Sequence, residues 1–226
     1  MYLTSALLLT GLAAASPLQN RQAAAVTSTS SVVATPTPIA CPSNSTTTVS
    51  ISPEIIQQIM PTSNSCDPAQ SLPEDCRTAE QAAPFISKSS EGLTPAEIAG
   101  TLALMGLESA DLKFKHNVFP GRPGQGTAGM LMPNFVGEYA TSVFGTEAVA
   151  EKGGDVAAIL EMVVVDEHNF GSVRWFYESK CDAGVKEQLK KGTDEGFKAY
   201  MGCVGVDGGN ADRLAYWERA KTAFKL

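Results

Sequence analysis

Histidine, positive charge and strand-forming runs are all scarce in this chain. Two histidines, His116 and His168, stand in 226 residues, and the five cysteines form no CxxC pair. Those spacings do not suit zinc, so neither a metal site nor a cofactor is expected. Lys and Arg number 17 against 24 Asp and Glu, a formal charge of −7. A nucleic-acid face needs clustered basic residues. The densest basic spot, Lys186, Lys190 and Lys191, has helical spacing beside Glu187 and reads as a solvated helix face. No apolar run is long enough to span a bilayer, so neither a nucleic-acid nor a membrane partner is expected.

Charge is nearly absent from residues 17–65, which hold only Arg21 and Glu54 and are rich in Ser, Thr, Pro and Ala. Such a segment buries too little apolar surface to offset its ordering entropy. It reads as a disordered stalk over 16–65, with a short strand or helix within Ile51–Met60. Asn44-Ser45-Thr46 is a glycosylation sequon. Ahead of the stalk, Tyr2–Leu12 is mostly apolar and Ala13-Ala14-Ala15 supplies small residues. A signal peptide over 1–15 is the expectation, and with it a secreted, extracellular or wall-associated protein. Cysteines there are expected to pair. Cys66 with Cys76 and Cys181 with Cys203 each close a local loop. Cys41 is left over, unpaired or competing with Cys66 for Cys76.

The folded domain is then expected over 66–226, and it reads as all-α. Its centre is Leu93–Pro133. Thr94 can cap, Pro95 suits the first helical position, and Glu97 sits where a capping box needs it. Ile98–Leu107 carries no charge, which marks a buried helix. Glu108, Ser109 and Asp111 end it, and Gly121, Gly124, Gly126 and Gly129 punctuate a long loop to Pro133. Loops of that length inside a domain are usually functional. Further helices are expected over 75–87, 134–144, 146–152, 156–165, 170–179, 183–191, 193–201 and 211–224. Val163-Val164-Val165 has strand propensity but lacks a partner strand, so it reads as a helix end.

Four pieces in order carry a family resemblance. They are Leu104-Met105-Gly106-Leu107-Glu108-Ser109, Gly121-Arg122-Pro123-Gly124-Gln125 with Asn134-Phe135, Phe170-Gly171-Ser172-Val173-Arg174-Trp175-Phe176, and Gly208-Gly209-Asn210-Ala211-Asp212-Arg213-Leu214-Ala215-Tyr216-Trp217. Together, from about residue 94 onwards, they resemble the lysozyme-like superfamily, and most closely the family 19 glycoside hydrolases, the plant-type chitinases. Gly126–Pro133 is similar to a loop of lytic transglycosylases in the same superfamily. With its stalk, the chain also resembles a group of secreted fungal proteins.

The resemblance implies a lysozyme-like fold, Glu108 as general acid, and Arg122, Gln125 and Asn134 as sugar contacts. The implied partner is a cell-wall polysaccharide of β-1,4-linked N-acetylhexosamine, chitin or peptidoglycan, and the protein is expected to be a monomer. The chitinases use a second Glu as base in the following loop. Here no carboxylate occurs from Leu112 to Gly137, although inverting hydrolysis needs one across the sugar from the acid. Transglycosylases of the superfamily work with one Glu. A glycan-binding or host-interaction protein on the same fold, without catalysis, is therefore the rival expectation.

Each candidate also has a bland reading. Glu108 can be a solvent-exposed helix end or pair with Arg122, and Arg122 can pair with Asp111. Gln125 and Asn134 can serve turn chemistry and helix capping. Ser109 sits in no recognisable Ser-His-Asp order. His116 can stand in for the missing base or lie in solvent, and His168 reads as part of a polar turn. Trp175 and Phe176 read as core, whereas Trp217 is open between core and surface.

Overall fold

The computed structural model describes residues 50–67 and 69–226. The expected signal peptide, Cys41 and the Asn44 sequon lie outside them. Eleven helices form among the described residues: α1 Pro53–Ile59, α2 Ala79–Ser89, α3 Pro95–Glu108, α4 Pro133–Phe144, α5 Thr146–Ala150, α6 Val156–Val163, α7 Asp166–Asn169, α8 Gly171–Lys180, α9 Ala183–Leu189, α10 Asp194–Val204 and α11 Ala211–Phe224. No sheet accompanies them there. Isolated antiparallel bridges join His116 to Gly126 and Gly126 to Leu131. The fold is all-α, as the sequence implies.

α3 is the axis. Thr94 and Glu97 complete the capping box, and every residue from Ala96 to Gly106 is buried. Glu97 also reaches across the core, where its other carboxylate oxygen accepts from the Tyr177 hydroxyl of α8 at 2.8 Å. α11 lies along α3, and Gly106 permits the approach. A Cβ there would stand 2.5 Å from the Tyr216 ring and 3.0 Å from Met60 Cγ. Trp217, from the same helix, is fully buried. It stacks on Phe197 at 4.8 Å and donates through Nε1 to Asp194 at 2.9 Å. That places Trp217 in the core.

The packed unit begins before Cys66, which corrects the expected boundary. Ile51, Ile56, Ile59 and Met60 are at most 1% exposed and join the same core as α2, α3 and α11. Ser52 caps α1 on the Ile55 amide, with Pro53 behind it. The Ser/Pro-rich composition around these residues conceals four core side chains. α2 also starts later than expected, at the Thr78–Gln81 capping box, because Asp75 is drawn under the long loop instead. Pro84 sits inside α2 on its exposed side. Val163–Val165 ends α6 rather than forming a strand. Cys66 is joined to Cys76, and Cys181 to Cys203. No helix among the described residues is long and apolar enough to cross a membrane.

Candidate functional site

Glu108 closes α3, where the sequence places it, but its partner comes from far along the chain. Arg213 of α11 donates through Nη2 to Glu108 Oε1 at 2.7 Å. Both side chains are largely buried, and the second guanidinium nitrogen, Arg213 Nη1, is buried without a partner. Arg122 does not reach Glu108; its Nη1 lies 3.1 Å from Met132 Sδ. Nor does Arg122 meet Asp111, which accepts from the Thr62 amide and hydroxyl at 2.8 Å each and from the Tyr216 hydroxyl at 2.5 Å. Ser109 is buried in the turn, donating to Met105 O and accepting from the Leu112 amide. Glu108 lines none of the cavities described below, and none of Arg122, Gln125 and Asn134 hydrogen-bonds it among the described residues. The four expected site residues are therefore not gathered around one carboxylate.

The chain reverses after α3 through Ala110, Asp111 and Leu112, all left-handed with φ of 51°, 58° and 67°. Such backbone is costly for residues with a Cβ. The Asp111 hydrogen bonds hold it. From here the long loop runs back past Asp75 and is pinned on itself. The Asn117 amide donates to Gln125 O and the Thr127 amide to Lys115 O. Gly126 makes this pairing possible, because a Cβ there would collide with the Lys115 carbonyl oxygen. Gln125 accepts from Asn117 Nδ2 at 2.6 Å and donates to Met130 O at 3.2 Å. Its amide is committed to loop structure, the bland alternative for this residue.

His116 stands at the centre of that loop's charged wall. It donates through Nδ1 to Asp75 at 2.8 Å and through Nε2 to Glu161 at 3.0 Å. The Asp75 bond raises the imidazole most, burial opposes it, and Glu161 adds to the rise, leaving the pKa at about 9. At neutral pH His116 is an imidazolium, which neither lies in solvent nor serves as a base. Burial pushes the Asp75 carboxyl up, but His116 and the Lys115 amide outweigh it and hold it below the usual range. Two cavities flank His116 and share it with Glu161. One, of about 370 Å³, is walled by Arg77, Lys115, Val164, Val165 and Asp166; the other, of about 270 Å³, by Asn117, Arg122 and Gln125. The only loop signal for this cluster was the run Lys113, Lys115, His116 in a segment otherwise uncharged until Arg122. Its carboxylates come from three other places in the chain.

Asn134 belongs to a different site. It lies in the first turn of α4 and does not cap it. A broad groove of about 610 Å³ runs between α4 and α8, lined by Asn134, Glu138, Thr141, Ser142, Ser179 and Lys180, with Trp175 among them. Trp175 packs against the core but is only partly buried, so the expected core placement holds in part, whereas Phe176 is in the core. Tyr139 packs against Trp175 at 5.3 Å, and the Lys180 ammonium lies 5.4 Å from its ring centroid. Lys180 also pairs with Glu138. The Asn134 amide is exposed and makes no hydrogen bond among the described residues. The Tyr139 hydroxyl donates to the His168 carbonyl at 2.6 Å, and the His168 ring packs against Phe144. Among the described residues no group of three or more His, Cys, Asp or Glu side chains is placed to hold a metal ion.

No family model matches the chain, and no solved structure matches it. A protein of Fusarium oxysporum (strain Fo5176) named bifunctional dioxygenase (DOX)-epoxy alcohol synthase (EAS) is 44% identical over 158 residues, 65% of this chain. The chain spans only 12% of that relative's length, so most of the relative lies outside the similarity.

Proposed function

We propose that this chain is a secreted glycan-binding protein that takes a β-1,4-linked N-acetylhexosamine polymer, chitin or peptidoglycan, along the groove between α4 and α8. The observation that carries this reading is Trp175, partly exposed in a wide groove whose other walls are mostly hydroxyl, amide and ion-paired side chains, with Val149 and Gly137 among them. A pyranose offers an apolar C–H face and a polar rim. An aromatic surface ringed by an exposed amide and by hydroxyls whose oxygens can still accept matches both. Asn134 supplies such an amide for hydroxyls or an N-acetyl group. The two disulfides and the expected signal peptide and sequon support secretion. Binding is favoured over cleavage because Glu108 is engaged by Arg213 and stands outside the described cavities. The missing loop carboxylate points the same way.

Pelleting with insoluble chitin and with peptidoglycan tests the proposal. The wild type should sediment with one of them, and Trp175→Ala should weaken binding about tenfold. Neither the wild type nor Glu108→Gln should release soluble sugar. Failure to sediment with either polymer would sink the reading. Sugar release by the wild type and not by Glu108→Gln would replace it with a hydrolase or transglycosylase.

A further inference from the structure

Lys115 is a buried amine facing a cavity. It is 8% exposed and lines the 370 Å³ space beside α6 and α7. The carboxylates around it are engaged elsewhere: Asp166 with Arg77 at 2.7 Å, Asp75 and Glu161 with His116. Lys115 Nζ itself has no hydrogen-bond or ion-pair partner among the described residues. The stem is buried while the amine opens into the cavity, so the ammonium is partly desolvated, which disfavours its charge. Nothing in the binding proposed for the Trp175 groove uses this lysine, which lies in a separate cavity.

We propose that Lys115 is a carbonyl-reactive lysine, and that its cavity admits a small aldehyde or ketone which Nζ captures as a reversible imine. The size lies within the range of small-ligand sites, about 300–1,000 Å³, and Val164 and Val165 give an apolar wall for the carbon chain. A neutral ligand suits the electrostatics. With three cations paired or enclosed, Glu74 and Glu167 remain as surplus negative charge on the rim, which disfavours an anion. Burial and the neighbouring Arg77 guanidinium hold the ammonium below the usual lysine range, against the pull of Asp166, Asp75 and Glu161. Desolvation beside a second cation is a recognised way to make a lysine nucleophilic.

The chemistry balances with groups on the cavity wall. The ammonium gives one proton to water or a rim carboxylate. The freed electron pair forms the C–N bond while the carbonyl π pair moves to oxygen, which takes a proton from the His116 imidazolium. The nitrogen, positively charged once the C–N bond has formed, gives one proton to water and so regains its pair. The carbinolamine hydroxyl takes a proton from solvent and leaves as water while that pair closes the C=N bond. The iminium gives its last N–H proton to water, from which His116 recovers the one it lent. No oxidant or reductant is needed, and hydrolysis reverses every step.

Reductive trapping on the intact protein tests this. Propionaldehyde is supplied with sodium cyanoborohydride, which delivers hydride to the imine and leaves a stable propyl amine. Peptide mapping by mass spectrometry then compares the lysines. Lys115 should label at least about tenfold faster than exposed Lys190 or Lys225, with a rate that saturates in aldehyde. Lys115→Met should lose that fast label and no other. Labelling of wild-type Lys115 at or below the surface rate, or a rate linear in aldehyde, would overturn the proposal. Because the wild type carries the deciding comparison, a Lys115→Met variant that fails to fold leaves the test intact.

Discussion

At the scale of single residues, two polar groups separate folding from function. Asp111 is 4% exposed and satisfies Thr62 and Tyr216 together while holding a left-handed turn. Its replacement by Ala removes the acceptor of the Thr62 amide and hydroxyl and of the half-buried Tyr216 hydroxyl, and with them the hold on the turn. Asp111→Ala should therefore cost about 3 kcal/mol in urea unfolding; a loss under about 1 kcal/mol would show that water replaces the carboxylate. His116 sets a pH dependence. Its folded pKa of about 9 lies above the usual imidazole value, so its stabilising contribution is complete below about pH 6.5 and is lost as pH rises through 9. Asp75 has the opposite sign, its lowered carboxyl contributing above the ordinary aspartate range and losing that contribution in acid. Melting temperature should fall between pH 7 and 10 for the wild type and more shallowly for His116→Gln. Parallel profiles would remove the ion-paired imidazolium. His116 was visible as a candidate in the sequence, but its role was not, because Asp75 and Glu161 lie 41 and 45 residues away.

At the scale of elements, α3 was legible almost to the residue. Its cap, its proline and its uncharged run are local signals, and its burial follows from composition alone. Its neighbours were not legible. Gly106 reads in sequence as a weak point in a helix, and only the structure shows Tyr216 and Met60 in the space a methyl would need. Gly106→Ala should thus destabilise by about 1–3 kcal/mol, despite a gain of about 1 kcal/mol in helix propensity. Gly137, in α4, meets nothing within 4 Å. Gly137→Ala should stabilise by about 0.5–1 kcal/mol. Thermal unfolding of both variants checks the contrast, and two changes of the same sign would refute it. α1 falls within the short strand or helix expected over Ile51–Met60, but its place in the core was not legible, because the surrounding Ser, Thr and Pro set the expectation for the whole segment.

At the scale of the molecule, the disulfides tie late helices to one another and an early loop to itself. Cys181–Cys203 spans 22 residues and joins the end of α8 to α10. Its removal by Cys181→Ser with Cys203→Ser should lower stability by about 2–4 kcal/mol, read as a lower denaturant midpoint with an unchanged slope. An unchanged midpoint would mean that α8 and α10 are held by packing alone. The pairing was readable from loop lengths, since each bridge closes a short segment. The candidate site was not, because its parts come from separate helices. The Trp175 groove needs α4 beside α8, and the Lys115 cavity needs the Glu74–Arg77 turn, the long loop and α6–α7 together.

Taken by itself, the sequence determined what depends on neighbours within a few residues: helix caps, buried helical stripes, the left-over charge and the two short disulfide loops. Those follow from backbone hydrogen bonding and local hydrophobic period, which act over one or two turns. Tertiary packing alone decided which charge meets which. Glu108 was a candidate acid on local grounds, and it meets Arg213, 105 residues on, because Gly106 lets α11 lie against α3. Electrostatic partners are chosen by proximity in space, and proximity is set by the shapes of side chains that no local pattern records.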